Sequence, residues 1–233
     1  MTRTDPGPLI AFGTVVRNAP VTEAGELVIL DWSTKSVKAR TPIYPQNPRM
    51  DDDPNPRGNT RGCKGITVVG DRILAADFHS IHVFDLALNE LGVISHGLMV
   101  GLHETSSANG TSLWVSSTVV DAALEYDLRS GELRHAFWPR EMAAFQQALG
   151  LEPLAIDKQA DNRRQFMSDE HQQSGSHLHL NAVVEHGDSV YALFHAFGTI
   201  CNLTTGEVLI RDEALVRGHN LVFMEDDIVD VND

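Results

Sequence analysis

Short apolar runs recur along the chain, separated by polar breaks, and three stretches repeat one another. They are "DRILAADFHSIHVFDLALNE" (71–90), "TSLWVSSTVVDAALEYDLRSGE" (111–132) and "DSVYALFHAFGTICNLTTGE" (188–207). Each holds an apolar strand, a polar stretch and a second strand ending in Asp or Asn followed by Leu. Each closes on a turn and an acidic residue: Asp85-Leu86 with Glu90, Asp127-Leu128 with Glu132, and Asn202-Leu203 with Glu207. Ahead of each lies another short strand and a turn, at Gly70-Asp71, Asn109-Gly110 or Gly187-Asp188. After the second and third comes a further strand, "LRHAFW" and "VLIRDE". The pattern predicts units of four short strands on a period of roughly 40 residues.

One small twisted sheet cannot bury both of its faces, whereas sheets stacked radially bury both and leave only short edges. The repeat therefore resembles the blade of a β-propeller, over about residues 9–40, 62–137 and 177–233. A two-sheet sandwich would not require this four-strand cadence. The expectation is an all-β, single-domain chain over residues 1–233, with four to five blades represented and one short helical insertion.

The ends carry broken repeats. "LIAFGTVVRN" matches "LWVSSTVVDA" and "LVILDWSTKSV" matches "LEYDLRSGEL", so residues 9–40 read as the last three strands of a blade. Residues 217–233 read as the first one or two strands of another. If "LVFME" is the innermost strand of the 9–40 blade, the propeller closes; "DIVDVND", which duplicates a second strand, points instead to a larger propeller.

Two segments interrupt the cadence. Residues 41–62 are rich in Pro, Asp and Asn and read as a long loop. In residues 138–176, Pro139 suits a first helical turn, Met142, Phe145 and Leu149 share one helical face, and Gly150 suits the stop. The polar remainder lacks apolar periodicity and reads as a mobile loop. Both segments connect an outermost strand to the next innermost strand, which places them over one mouth of the central channel.

Charge narrows the partners. With 18 Lys+Arg against 32 Asp+Glu the net charge is −14, a surface that repels nucleic acid and anionic membranes. No apolar run approaches the ~20 residues of a membrane-spanning helix. The N-terminus, "MTRTDPGPLIAFG", makes a poor signal peptide. Two cysteines, Cys63 and Cys201, make no disulfide framework, so the expected location is cytoplasmic.

Candidate chemistry follows from the repeat. In a propeller the first strand of each blade lines the axis, so matched positions in successive blades converge. His103, His179 and His219 stand seven or eight residues ahead of the hairpin turn in three successive blades, and Cys63 holds the position in the blade before. Imidazole and thiolate suit borderline metals, so this ring is a candidate site for a divalent cation such as zinc, manganese or calcium. Glu104, beside one histidine, is the candidate general base. Lys64, Asn181, Asn220 and His177 are the candidate substrate contacts, with Arg61, Arg163, Arg164 and His171 arriving on the long loops. His79, His82, His135, His186 and His195 read as surface or packing residues.

The chain lacks the repeated Gly-His and Trp-Asp pairs of WD40 proteins and the double glycines of kelch repeats. It is closer to divergent propellers of the lactonase, lyase and NHL-like kind, several of which hold a divalent metal at the axis. That resemblance implies a metal-assisted hydrolase or lyase acting on a small polar or anionic molecule. The alternative is a non-catalytic scaffold that captures a peptide or protein partner on the same face.

Overall fold

The computed structural model describes residues 7–16, 23–44, 61–163, 175–224 and 227–231. Its first strands are β1 (Leu9–Gly13), β2 (Val15–Val16), β3 (Gly25–Asp31), β4 (Ser36–Ile43) and β5 (Arg61–Gly62). Then come β6 (Gly65–Val69), β7 (Arg72–Ala76), β8 (Ser80–Asp85) and β9 (Glu90–Ser95). Next are β10 (Leu102–Ser106), β11 (Ser112–Ser117), β12 (Ala122–Asp127) and β13 (Leu133–Phe137). The rest are β14 (Leu180–His186), β15 (Ser189–Phe194), β16 (Thr199–Asn202), β17 (Glu207–Arg211), β18 (Asn220–Met224) and β19 (Asp227–Val231).

Among the described residues, β6–β9, β10–β13 and β14–β17 are three antiparallel four-stranded sheets in simple meander order. These are the blades of a β-propeller. A three-stranded sheet, β1-β3-β4, precedes them, and β18 pairs with β19 after them. No pairing joins β18 to β1 among the described residues, so the two strand sets lie in separate sheets.

The recurrent Asp or Asn explains the cadence. At the end of each third strand its Oδ1 accepts backbone N–H groups two and three or four residues on, which folds the next turn. Asp31 takes Ser33 and Thr34 at 2.9 and 3.0 Å, and Asp85 takes Ala87 and Asn89 at 2.9 and 2.8 Å. Asp127 takes Arg129 and Ser130 at 2.7 and 2.8 Å, and Asn202 takes Thr204 and Thr205 at 2.9 and 3.1 Å. The shared device identifies β3 as a third strand, so β1 and β4 are the second and fourth strands of their blade.

Apolar clusters fill the spaces between blades. Leu27, Ile29, Cys63 and Ile73 join the first sheet to the second blade. Leu74, Ile81, Leu102 and Val115 join the second to the third. Trp114, Leu180 and Phe194 join the third to the fourth, and Leu193 with Leu221 carries the stack to β18. Each such buried side chain contributes about 1.5–3 kcal/mol. The inner strands β6, β10, β14 and β18 therefore lie side by side along the axis.

The second insertion begins with a 3-10 turn at Pro139–Glu141 and the helix α1 (Ala143–Leu149). Ala, Gln and Leu are good helix formers, and Phe145 is the buried anchor, edge-on to Phe194 at 5.6 Å. Gly150 ends α1 at φ 69°. Residues 151–163 run irregularly back across the fold, with Leu154 and Ile156 packed on the core. Asn162 donates its backbone N–H to the Gly97 carbonyl at 2.8 Å, and Arg163 reaches Ser95 Oγ at 2.8 Å. Residues 45–60 of the first long loop, with Arg164 and His171, lie outside the described residues.

Candidate functional site

The inner strands begin at one end of the axis, and that end gathers the titratable side chains. His103 is the second residue of β10, while His179 and His219 immediately precede β14 and β18. The His103 ring centroid is 5.7 Å from that of His179 and 6.0 Å from that of His219. His195 belongs to the same group, 4.6 Å from His179 and 5.6 Å from His219. It comes from the turn between the second and third strands of its blade, which opens on the same face as the starts of the inner strands. The sequence reads it as a surface or packing residue, and the structure brings it into the ring.

Close approach of the inner strands is written into small residues. A Cβ on Gly65 would lie 2.4 Å from the His103 carbonyl oxygen, so only glycine lets β6 and β10 meet there. Ser116 ties the next pair. Its Oγ accepts the Glu104 N–H at 2.7 Å and donates to the Asn181 carbonyl at 2.9 Å.

Hydrogen bonds bear on which imidazole nitrogens carry the proton. Lys64 Nζ is 3.0 Å from His103 Nε2, so the ammonium donates and the ring proton sits on Nδ1. Burial, then the Lys64 charge and the neighbouring imidazoles, hold the His103 pKa well below 6.5. His219 Nδ1 donates to the Arg217 carbonyl at 2.8 Å, leaving Nε2 as a lone pair in the neutral ring. Asn181 Nδ2 stands 3.0 Å from His195 Nδ1 and donates to the Gly218 carbonyl at 3.1 Å. His195 Nδ1 is itself 3.4 Å from that carbonyl, and the shorter contact with Asn181 favours the tautomer with its proton on Nε2.

Glu104 lies beside this ring, and burial raises its pKa to about 8. With its amide nitrogen turned to the carboxyl, Asn220 donates to Glu104 Oε1 at 2.9 Å and to the His219 carbonyl at 3.0 Å. A carboxyl group held neutral in this way offers a proton donor.

His179 sits in left-handed backbone geometry, φ 53°, which a non-glycine residue adopts only under outside constraint. The constraint is Asp121, a fully buried carboxylate. Asp121 Oδ1 accepts the His179 N–H and its Oδ2 the Leu178 N–H, both at 3.0 Å. Arg140 stands 3.5 Å from Oδ2 and His177 3.6 Å from Oδ1.

Other expected contacts lie elsewhere. His177 is buried beneath the ring, where Nε2 donates to the Thr118 carbonyl at 3.1 Å and burial lowers its pKa to about 4. Cys63 packs with Leu27, Ile29 and Ile73 between two sheets, and burial lifts its thiol to about 12. At the β6 position it is Lys64, one residue on, that reaches the mouth. Arg163 is engaged with Asp161 and Ser95, while the side chain of Arg61 is outside the described set.

The donor set has the chemistry of a metal site, and His219 offers a bare Nε2. His103 Nε2, however, already receives an ammonium. Among the described residues no group of three or more His, Cys, Asp or Glu side chains is arranged to hold a metal ion.

No protein-family profile matches the chain, and no curated protein matches it. Solved structures do. The WD40 β-propeller domain of Doa1 aligns at TM-score 0.55 and 8% identity, over 97% of this chain and 57% of that one. BamB from Moraxella catarrhalis aligns at TM-score 0.51 and 14% identity, over 100% of this chain and 53% of that one. A protein of unknown function from Bacteroides caccae aligns at TM-score 0.55 and 11% identity, over 94% and 62%. The chain thus spans a little over half the length of these structures. The likeness is to the propeller fold alone and does not separate its subtypes.

Proposed function

We propose that the axial mouth is the working site of a propeller enzyme of hydrolase or lyase type, which takes a small anionic molecule. One observation carries the reading: Lys64 and four imidazoles, His103, His179, His195 and His219, close on one another beside the half-buried carboxyl of Glu104. Lys64 supplies positive charge for a substrate oxyanion, and His195 Nε2–H adds a directed donor. Hydrolysis and elimination both move a proton at the reacting bond. In this reading Glu104 carries it, with Asn220 orienting its carboxyl.

A divalent cation at His103, His179 and His219 is the second reading. It draws on His219, whose Nδ1 bond to a backbone carbonyl is the arrangement that orients metal-bound imidazoles. It requires Lys64 to leave His103 Nε2, because that lone pair serves only one cation. Cys63 joins such a site only if it leaves its apolar cluster.

Imidazole NMR signals, followed during titration with acetate, succinate and inorganic phosphate, test the first reading beside metal analysis of the purified protein. The expected result is a saturable shift of the His103, His195 and His219 signals by one of these anions, lost in Lys64→Met. Stoichiometric zinc, manganese or calcium, released by changing the three histidines to alanine, replaces the first reading with the second. Neither anion response nor metal overturns both and leaves this face to a protein partner.

A further inference from the structure

Among the described residues, the three- and four-stranded sheets end on the outer side in β4, β9, β13 and β17. An outer strand exposes unpaired backbone groups, and charged residues or proline on it discourage pairing with another chain. Three of these strands carry such guards. β4 has Lys38, Arg40 and Pro42, β13 has Arg134, and β17 ends in Arg211. β9 reads Glu-Leu-Gly-Val-Ile-Ser, without lysine, arginine or proline. Its one charged residue, Glu90, is engaged by His82 Nδ1 at 3.0 Å. Leu91 and Val93 are exposed on it at 57% and 36%.

The strand also borders open space. A cleft of about 600 Å³ runs along Leu91–Ser95, its far wall formed by the turn Leu128–Gly131 of the next blade. It meets a second cleft of about 700 Å³, and Arg72 and Arg129 line both. Neither arginine is in an ion pair among the described residues. Two such cations beside an unguarded strand stand out on a chain of net charge −14.

We propose that β9 docks an extended, acidic peptide by strand addition, with the peptide's backbone on the free edge and its carboxylates on Arg72 and Arg129. The six residues of β9 span about 20 Å, room for a segment of similar length. A second copy of the chain is the poorer occupant, because a symmetric edge-to-edge pair sets two strongly acidic molecules against each other. Arg72 and Arg129 stand at turns on the end of the blades opposite the histidines, so the site does not depend on the reading of the mouth.

The probe is a fluorescent decapeptide alternating valine and glutamate, with a valine–lysine peptide as its counterpart. Gly92→Glu is the blocking variant, since a Cβ at Gly92 meets nothing within 4 Å and the fold accommodates it. Saturable binding of the glutamate peptide by anisotropy is expected. It should weaken at least tenfold in Gly92→Glu, in Arg72→Glu/Arg129→Glu and at high salt, with melting unchanged. Absence of saturable binding overturns the proposal. So does equal binding of the lysine peptide, or binding that Gly92→Glu leaves intact. A concentration-dependent dimer that Gly92→Glu dissolves, without peptide binding, assigns the edge to a second copy instead.

Discussion

Asp121 holds His179 in place across a blade boundary: the carboxylate takes the His179 N–H at 3.0 Å and fixes the residue at φ 53°. The same carboxylate takes the Leu178 N–H, so a single side chain from one blade sets where the next inner strand begins. In the blade before, Asp77 uses its Oδ1 on its own turn instead, accepting the His79 and Ser80 N–H groups.

Replacing Asp121 by alanine leaves two N–H groups unmet, that of Leu178 buried and that of His179 partly so, and deprives Arg140 of its carboxylate. The loss is expected to be ~3–5 kcal/mol, read by urea unfolding. Released from its left-handed geometry, His179 should also change its imidazole NMR signal. An unfolding curve within error of the parent protein would show that Asp121 is not the constraint.

His82 makes stability depend on pH. It is buried with Nε2 3.1 Å from Asp77 and Nδ1 3.0 Å from Glu90. Burial pushes its pKa down, but the two carboxylates outweigh this and hold it above 6.5. A raised folded-state pKa gives stability that is fully present below the unfolded value of about 6.5 and is lost as pH rises through the folded value. Unfolding free energy should therefore fall as pH climbs above about 6.5, and His82→Gln should flatten that slope. A slope of opposite sign attributable to His82 would refute the assignment.

Phe145 anchors the helical insertion from a fully buried position against Phe194. Phe145→Ala should cost ~3–5 kcal/mol, visible as a lower Tm. If α1 were an independent appendage, the variant would melt with the parent protein.

The blade cadence was legible because one turn chemistry, the Asp or Asn side chain closing on backbone N–H groups, recurs at Asp31, Asp85, Asp127 and Asn202. The helix was legible from Phe145 and Gly150 for similar local reasons. What chain order hid was set by alternation and by tertiary contact. Along an extended segment neighbouring side chains face opposite ways, so the one-residue step from Cys63 to Lys64 exchanges an interblade core position for the axis. His195 was hidden because the turn carrying it reads as part of a strand, although such turns share the face where inner strands start. Asp121 gave no signal at all, since its partners lie 57 and 58 residues away. Residues 151–163 lack periodicity, yet Leu154, Ile156 and Asn162 tie them down.

The last prediction compares two glycines of ordinary backbone geometry. At Gly65 an added methyl would stand 2.4 Å from the His103 carbonyl oxygen and 2.9 Å from the Thr105 nitrogen, both main-chain atoms that cannot swing aside. At Gly92 the same methyl meets nothing within 4 Å. Gly65→Ala must push β6 away from β10, which strains the Thr67 Oγ1 to Thr105 hydrogen bonds at 2.7 Å and moves Lys64 relative to His103. Overpacking of this kind costs ~1–3 kcal/mol, whereas Gly92→Ala should stay within about 0.5 kcal/mol of the parent protein. Thermal unfolding of the two variants measures the contrast, and the His103 imidazole signal should shift in Gly65→Ala alone. Equal melting of both would mean that the inner strands are not held as closely as the fold requires for the mouth to form.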